Sequence, residues 1–280
     1  MPLFKKISIQ GVGLIGGSIG LAALKFGAAE QVVGIGRNQS RLEIAREIGA
    51  VTSVTTDLAE GLDGTELVIL CSPVSMIVDF ARQCAELCPQ GTLITDAGST
   101  KKTMVEALDG PMAHGCRFLG GHPLAGSEKT GAIHAKANLF DGKLTILTPT
   151  GNSAADDIER LETFWSMLGS RVVKMTPDQH DRTLAMTSHL PHAVAVALSM
   201  SLDAADAPFT GTGFRSTSRL GAGDPTLWNQ IFTENREYVL QAIDHYIGEL
   251  QQLSKTIASG DTEALQTLLE AAKRKRDSLD

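Results

Sequence analysis

The sequence predicts an α/β fold, with a doubly wound parallel sheet in residues 1–175, followed by an all-α helical domain in residues 176–280. Up to about residue 175, short apolar runs rich in β-branched residues alternate with amphipathic stretches, as in a parallel sheet whose strands are joined by crossover helices. After Thr176 and Pro177, a typical helix start, strand-like runs almost disappear. The 280 residues are enough for two domains of medium size.

Composition and charge narrow the class of protein. Hydrophobic residues make up 42% of the chain and charged residues 20%, as in ordinary globular proteins. The formal net charge of -7 argues against a nucleic-acid partner. No stretch reaches the roughly 18 apolar residues of a membrane span, and the N-terminus lacks a signal-peptide pattern. The four cysteines contain no CxxC pair and are expected to be buried thiols. We therefore expect a soluble, cytoplasmic protein.

The apolar pattern places the individual elements. Candidate strands of the first domain lie at 5–9, 31–35, 66–71, 91–95, 117–120, 144–148 and 171–174. Candidate helices between them lie at 15–26, 40–48, 75–87, 101–108 and 153–168. In the second domain the helical stretches are 178–202, 225–253 and 262–275. The polar segment 203–223 is predicted to be a loop that serves a site, because long polar loops are otherwise uncommon in compact domains.

A glycine-rich segment follows the first predicted strand directly. It has the GxGxxG spacing and opens the first predicted helix, so its glycines allow a tight turn and close approach of the backbone to a pyrophosphate. This context predicts a Rossmann-type domain that binds a dinucleotide. The expected backbone contacts are Gly11, Gly13, Leu14, Ile15 and Gly16. Ser72 and Pro73, at the end of the strand 66–71, are expected to contact the ribose or pyrophosphate.

The end of the second predicted strand bears on the choice of nicotinamide cofactor. A site that prefers NAD usually has an Asp or Glu there, whereas this chain has Gly34-Ile35-Gly36-Arg37. Arg37 and Arg41 could instead neutralise the 2'-phosphate of NADP. We expect NADP to be favoured. The alternative is that Arg37 is an ordinary surface arginine and that the site accepts NADP or NAD.

Two polar loops punctuated by glycine follow later strands, at 96–101 and 121–128. Doubly wound sheets bind ligands at the carboxyl ends of their strands, where both loops are expected. A dehydrogenase that oxidises an alcohol needs a base for the hydroxyl proton, and histidine titrates near neutrality. His122 is therefore the candidate base, although its spacing alone is equally compatible with a structural role. His189 and His192 lack a convincing third ligand, so no metal site is expected.

Five segments identify a family. They are GVGLIGGS at 11–18, DAGSTK at 96–101, GGHPLAGSEKTG at 120–131, HDRTLAMTSHLPH at 180–192 and GFRSTSRLGAGDPTLW at 213–228. Through these segments, in this order, nearly the whole chain resembles the prephenate/arogenate (cyclohexadienyl) dehydrogenase family of tyrosine biosynthesis. Family members commonly have Asp where this chain has Ser216. Some also carry a regulatory ACT domain or a fused mutase domain, and neither is expected here.

The resemblance implies roles for particular residues. His122 would accept the proton of the substrate's C4 hydroxyl, and Ser99 would hydrogen-bond near that hydroxyl. The residues implied in the substrate pocket or its support are His189, His192, Arg219, Glu128 and Asp181. Arg219 would bind a substrate carboxylate. For Asp181 two roles stay open, as a partner of the ammonium group of arogenate or as a structural ion-pair residue.

The function implied by the resemblance is NAD(P)-dependent oxidative decarboxylation of prephenate, arogenate or both, to 4-hydroxyphenylpyruvate or tyrosine. The resemblance also implies a homodimer through the helical domain, whose stretch 190–200 is strongly apolar. Two alternatives are another Rossmann 3-hydroxyacid dehydrogenase and a non-catalytic protein that senses NADP. The remaining histidines are expected to be surface or packing residues. These are His114, His134, His180 and His245.

Overall fold

The computed structural model describes residues 1–126 and 129–279. The chain forms two compact units. The first consists of residues 1–184 and 222–235, and the second of residues 185–221 and 236 onwards. Relative to the expected division after residue 175, residues 176–184 and 222–235 thus group with the unit that contains the sheet.

A six-stranded parallel sheet lies at the centre of the first unit. Its strands are β1 (Phe4–Gln10), β2 (Ala29–Ile35), β3 (Ser53–Thr55), β4 (Leu67–Leu70), β5 (Leu93–Asp96) and β6 (Arg117–Phe118). Their order across the sheet is β3-β2-β1-β4-β5-β6, and each neighbouring pair is parallel. The strand order reverses between β1 and β4, which is the doubly wound Rossmann arrangement and confirms the predicted fold class.

Helices connect the strands and cover the sheet. They are α1 (Leu14–Lys25), α2 (Gln39–Glu47), α3 (Leu58–Leu62), α4 (Val74–Leu87) and α5 (Lys102–Leu108). Residues of β4 alternate between two apolar cores: Leu67 and Ile69 belong to one, and Val68 and Leu70 to the other. A strand buried on both faces reads as a continuous apolar run, which is why this pattern could be recognised in the sequence.

Three features of this unit differ from the sequence-based expectation. The strand β3 and the helix α3 have no predicted counterpart, because a strand of three residues with the sequence SVT has no apolar periodicity. The predicted strand 117–120 is divided between β6 and a second sheet. Gly120 begins that second sheet, and a Cβ on it would lie 2.4 Å from Oγ1 of Thr148, so this close approach requires glycine.

The second sheet has three strands, β7 (Gly120–Pro123), β8 (Leu144–Thr148) and β9 (Arg171–Lys174). The strand β8 is antiparallel to β7 and parallel to β9. Helix α6 (Ala155–Met167) connects β8 to β9 and contributes Phe164 and Trp165 to the main core, where both are fully buried. The sheet places the segment after β5 beside β7.

The helical part of the chain begins with α7 (Pro177–Leu184). A π-helical turn, Ala185–His189, joins it to α8 (Leu190–Met200). The π turn ends two residues before Pro191, which has no N–H to donate, so the helical hydrogen-bond register changes where proline would otherwise interrupt it. The later helices are α9 (Thr212–Ser218), α10 (Pro225–Glu234), α11 (Arg236–Ser259) and α12 (Thr262–Asp277). In the described residues, no helix has the length and apolar content needed to cross a membrane.

The polar segment 203–223 is largely helical, so its prediction as a loop was wrong. It contains the 3-10 turns Ala204–Phe209 and Arg219–Ala222 on either side of α9. The hydroxyl groups of Thr217 and Ser218 donate to carbonyls one turn earlier, at 2.9 and 2.8 Å. Local hydrogen bonds of this kind let Ser and Thr sit in a helix without apolar periodicity.

Candidate active site

The glycine loop between β1 and α1 is closely packed at two of its glycines. Gly11 has φ +94°, and a Cβ there would lie 2.7 Å from the carbonyl oxygen of Cys71. A Cβ on Gly16 would lie 2.3 Å from the carbonyl oxygen of Gly11. The N–H of Gly11 donates to the carbonyl of Ile35 at 2.9 Å, which ties the loop to the end of β2. The structure therefore explains why these two positions are glycine.

The third glycine faces open space. A Cβ on Gly13 would meet no atom within 4 Å, and Gly13 is the N-cap residue of α1. Among the described residues, no side chain caps this helix start. The N–H groups of the first turn, at Leu14 and Ile15, therefore have no capping side chain to accept their hydrogen bonds. An open cradle at an uncapped helix N-terminus fits the pyrophosphate of a dinucleotide.

Ser72 and Pro73 lie beside the glycine loop. They follow β4, and a Cβ on Gly11 would be 3.4 Å from the backbone nitrogen of Ser72. The hydroxyl of Ser72 donates to the side-chain oxygen of Gln10 at the end of β1. Pro73 is exposed and directly precedes α4. Both residues are thus at the carboxyl edge of the sheet, next to the predicted cofactor loop.

Arg37 and Arg41 follow the end of β2, and both are exposed. Asn38 lies between them and caps α2, because its side chain accepts a hydrogen bond from the N–H of Arg41 at 3.0 Å. Residues 36–41 contain no carboxylate. The end of β2 therefore offers two cations and an amide where sites that prefer NAD offer an acid.

His122 is buried at the middle of β7, with 8% of its surface exposed. Its Nδ1 lies 2.8 Å from Nε2 of His180, which belongs to α7 and has no exposed surface. The other ring nitrogen of His180, Nδ1, lies 2.7 Å from Oδ1 of Asp181. Burial lowers the pKa of His180, and the positive charge of Lys101 acts in the same direction. A continuous chain of two imidazoles and a carboxylate thus ends at the candidate base.

Asp181 also holds the start of α5. Its Oδ1 accepts the backbone N–H of Lys101 at 2.8 Å, and its Oδ2 accepts that of Lys102 at 2.9 Å. With His180, three protein donors therefore meet one buried carboxylate, whose exposure is 1%. This geometry favours a supporting role for Asp181 over direct contact with a substrate ammonium group, which was the other role that the sequence left open.

Asp96 links the two polar loops. Its Oδ1 accepts the N–H of Gly121, next to His122, at 3.0 Å. Its Oδ2 accepts the N–H of Gly98 at 2.7 Å and lies 2.5 Å from Nζ of Lys101. Ser99 is half-buried within the loop that these bonds hold. The segment predicted to be a loop from residue 121 thus begins within strand β7, and these hydrogen bonds connect that strand to the loop of Ser99.

His180 is the functional candidate that the sequence analysis missed. It was expected to be a surface or packing residue, but it is hydrogen-bonded to the candidate base. The spacing of the buried residues along α7 could have identified His180. His180, Asp181 and Leu184 are its buried residues, three and four positions apart on one helix face. Two polar residues on the buried face of a helix require partners, and this requirement could have identified them.

The second unit contains three other predicted residues. His189 and His192 are buried, with exposures of 1% and 4%, and burial lowers the pKa of His192. His192 is also hydrogen-bonded to the backbone of Leu220, the neighbour of Arg219. A Cβ on Gly221 would lie 3.1 Å from the carbonyl oxygen of Ala195, so the turn of Arg219 packs closely on α8. Arg219 itself is exposed.

Glu128 lies outside the described residues. Ser216, which replaces the Asp common in the family, is exposed on α9. Within residues 1–126 and 129–279, no group of three or more His, Cys, Asp or Glu side chains is arranged to hold a metal ion.

Comparison with known proteins assigns both halves of the chain. Residues 19–174 match the family model of the prephenate dehydrogenase nucleotide-binding domain, and residues 176–271 match that of the prephenate dehydrogenase dimerization domain. Prephenate dehydrogenase of Bacillus subtilis is 31% identical over 280 residues, which cover 98% of this chain and 76% of the relative. Cyclohexadienyl dehydrogenase of Zymomonas mobilis is 31% identical over 272 residues, covering 95% and 92% of the two chains.

A solved structure is similar over the same extent. The crystal structure of prephenate dehydrogenase from A. aeolicus, in complex with hydroxyphenyl propionate and NAD+, superposes with a TM-score of 0.92. The two sequences are 32% identical, and the match covers 99% of this chain and 98% of the other.

Proposed function

This chain belongs to the prephenate dehydrogenase family of nicotinamide-dependent oxidoreductases, and from this premise we propose that it catalyses the oxidative decarboxylation of prephenate, arogenate or both. The observation that carries the proposal is the position of His122. It is buried on strand β7, beside the loop of Ser99, and is hydrogen-bonded to His180 of helix α7. A protein that only senses a dinucleotide needs no such base.

Each catalytic group has a distinct task in this reaction. A bound nicotinamide would accept the hydride from C4 of the ring. His122 accepts the C4 hydroxyl proton through its ring nitrogen, and Ser99 hydrogen-bonds to the hydroxyl and orients it. The carboxylate at the opposite ring carbon leaves as carbon dioxide, and its bonding electrons complete the aromatic ring. Aromatisation makes the reaction effectively irreversible, so the protein has mainly to orient the substrate and remove the proton.

The cofactor would be held by the glycine loop and the start of α1. Gly11 and Gly16 shape the turn, and the open position at Gly13 leaves room for the pyrophosphate. We propose NADP as the preferred cofactor. The support is the pair Arg37 and Arg41 at the end of β2, where no acid is available to accept the ribose 2'-hydroxyl.

Substrate binding is proposed for three residues of the second unit. Arg219 is a planar bidentate donor suited to a substrate carboxylate. His189 and His192 would face the substrate side chain. Asp181 is proposed to support the pocket, since its oxygens already accept three hydrogen bonds. The ammonium group of arogenate would then need another acceptor, and Glu128 is a candidate by its position in the family motif.

We propose that the protein is a homodimer that associates through its second unit. That unit exposes large apolar side chains, namely Val196, Met200, Phe209, Leu240, Ile247 and Leu250. Met200 and Phe209 are each more than four-fifths exposed, and apolar side chains that form one exposed patch mark a protein–protein interface. Sedimentation showing a strict monomer would contradict the dimer.

A cytoplasmic location is also proposed, because the four cysteines are free thiols.

The experiment that tests the function is a spectrophotometric assay of purified protein. Prephenate and arogenate are each combined with NAD and with NADP, and reduced nicotinamide is measured by its absorbance. We expect turnover with at least one substrate and a higher kcat/KM with NADP than with NAD. Absence of turnover in every combination, from folded protein that still binds NADP, would overturn the proposal in favour of a sensor or another dehydrogenase.

A further inference from the structure

The hydrogen bonds around His180 restrict where its ring protons can be. Asp181 offers only acceptor oxygens, so Nδ1 of His180, at 2.7 Å, must carry the proton that joins them. Oδ1 of Asp181 already accepts the N–H of Lys101, and Oδ2 that of Lys102, which fixes the carboxylate as an acceptor. A neutral His180 then has its lone pair on Nε2.

The lone pair on Nε2 of His180 determines which ring nitrogen of His122 carries the proton. Nε2 of His180 lies 2.8 Å from Nδ1 of His122, so Nδ1 of His122 must be the donor. In a neutral His122 the lone pair is consequently on Nε2, the nitrogen on the side of the ring away from His180. Only a lone pair can accept a substrate proton, so the tautomer determines which atom is the base.

The alternative assignment requires a positively charged His180. It would then donate from both nitrogens, and His122 would carry its own proton on Nε2, where it could not act as a base. Complete burial of His180 opposes this charge, and Lys101 adds a second cation nearby. The charged groups around His180 are Asp181, Asp96 and Lys101, and of these Lys101 and Asp96 already form a buried ion pair.

From this geometry we propose that His180 and Asp181 are positioning residues, which fix the Nδ1–H tautomer of His122 so that Nε2 is the base for the substrate hydroxyl. The proposal rests on the proposed function and deepens it. When Nε2 takes the hydroxyl proton, His122 becomes an imidazolium, and its Nδ1–H continues to donate to His180. Asp181 stays a carboxylate, and no second proton moves.

Two properties follow for the enzyme. The hydrogen bond from Nδ1 holds the imidazole ring in one orientation, which saves the reaction the cost of orienting it. The same bond is strengthened when His122 is protonated, so His180 and Asp181 raise the affinity of His122 for the substrate proton. Both effects appear in kcat and in its pH dependence rather than in substrate binding.

The variants that test the proposal are His180→Phe and His180→Gln. Phenylalanine keeps a planar ring but removes both nitrogens, whereas the amide oxygen of glutamine can still accept from Nδ1 of His122. We expect His180→Phe to lower kcat about a hundredfold with KM changed less than about threefold. The rising limb of its pH profile should shift to lower pH. His180→Gln should recover about tenfold of the lost kcat. His245→Gln, at an exposed site on α11, is the matched control and should behave as the wild type.

A measurement without turnover tests the same point directly. Ring-nitrogen chemical shifts of protein labelled with nitrogen-15 histidine distinguish the two tautomers, and the His122 signals are identified by their loss in His122→Asn. We expect a protonated Nδ1 and an unprotonated Nε2 in the neutral imidazole of the wild type. The spectrum decides the question even if His180→Phe does not fold.

The outcomes separate the two proposals. A proton on Nε2 of His122, or wild-type kcat and pH profile in folded His180→Phe, would overturn the positioning role while leaving the dehydrogenase function intact. The expected tautomer in a protein that turns over neither substrate would instead overturn the proposed function and uphold the assignment of protons.

Discussion

Nζ of Lys101 lies 2.5 Å from Oδ2 of Asp96, and neither side chain has any surface exposed to solvent. Nζ also donates to the carbonyl oxygens of Gly98 and Thr100, both at 2.9 Å. This ammonium group therefore sits inside the loop that carries Ser99 and is fully surrounded by acceptors. Through Asp96 the same ion pair reaches the backbone of Gly121. The pair thus ties the loop of Ser99 to strand β7, which carries His122.

We expect Lys101→Met to destabilise the protein strongly. Removal of the cation would leave the carboxylate of Asp96 buried without its charged partner, which typically costs about 3–5 kcal/mol. Urea unfolding measures the change in the free energy of unfolding. The matched control is Lys273→Met on α12. Lys273 also lies 2.5 Å from a carboxylate, that of Asp277, but its side chain is 76% exposed, and its loss should cost less than about 1 kcal/mol. Equal effects of the two substitutions would contradict this account.

His122→Asn and Ser99→Ala should lower kcat more than they raise KM. Loss of a general base typically reduces the rate by about 100- to 10,000-fold. Loss of the serine hydroxyl removes one orienting hydrogen bond and should have a smaller effect. Steady-state kinetics with the better substrate measure both changes, and His245→Asn provides the control at an exposed histidine. Wild-type kcat of His122→Asn across the pH range would remove His122 from the mechanism.

The glycine loop allows folding to be separated from cofactor binding. Gly13→Ala places its methyl group in open space and should leave the melting temperature nearly unchanged, while weakening binding of the cofactor about tenfold or more. Gly11→Ala should instead destabilise the protein, because its Cβ would lie 2.7 Å from a carbonyl oxygen at a positive φ. Thermal unfolding and fluorescence titration with NADPH measure the two effects. Unimpaired binding by Gly13→Ala would contradict the proposed position of the pyrophosphate.

Arg37→Ser combined with Arg41→Ser should change the cofactor preference. The two cations are proposed to bind the 2'-phosphate, and removing charge-assisted hydrogen bonds of this type costs about 1.5–3 kcal/mol each. We expect kcat/KM with NADP to fall by about tenfold or more, and kcat/KM with NAD to change little. Arg46→Ser, in the last turn of the same helix, is the control. A parallel fall with both cofactors would argue against recognition of the phosphate.

Stability should fall as the pH falls below neutrality, partly because of His180. Burial lowers its pKa from the ordinary value of 6.5 in the folded protein, so the unfolded chain binds this proton more readily. The stabilisation is therefore complete above about pH 6.5 and is lost progressively below it, by at most about 1.4 kcal/mol per pH unit for one histidine. Urea unfolding between about pH 8 and pH 5 should show a smaller loss for His180→Gln than for the wild type. The same loss in both proteins would exclude His180 as a contributor.

Much of the fold was predictable because it depends on local pattern. Within the predicted strand 66–71, residues 67–71 are all apolar, and such a run between turn signals favours a buried parallel strand. The sequence could not predict that Leu119 separates two sheets, since the close contact of Gly120 with Thr148 is made across 28 residues of chain. It also failed at 203–223, where hydroxyl groups bonded to the helix backbone replace the apolar signal.

By itself, the sequence determined the chemistry available to the protein. GxGxxG after a strand, the histidine and serine in two loops, and the ordered motifs were sufficient for the family, because each depends on residue type and spacing along the chain. Only the tertiary structure decided what His122 is bonded to. His180 is 58 residues away in sequence but 2.8 Å from His122 in space. Packing of α7 against the sheet that contains β7 buries both rings, and each buried ring N–H then needs a hydrogen-bond acceptor.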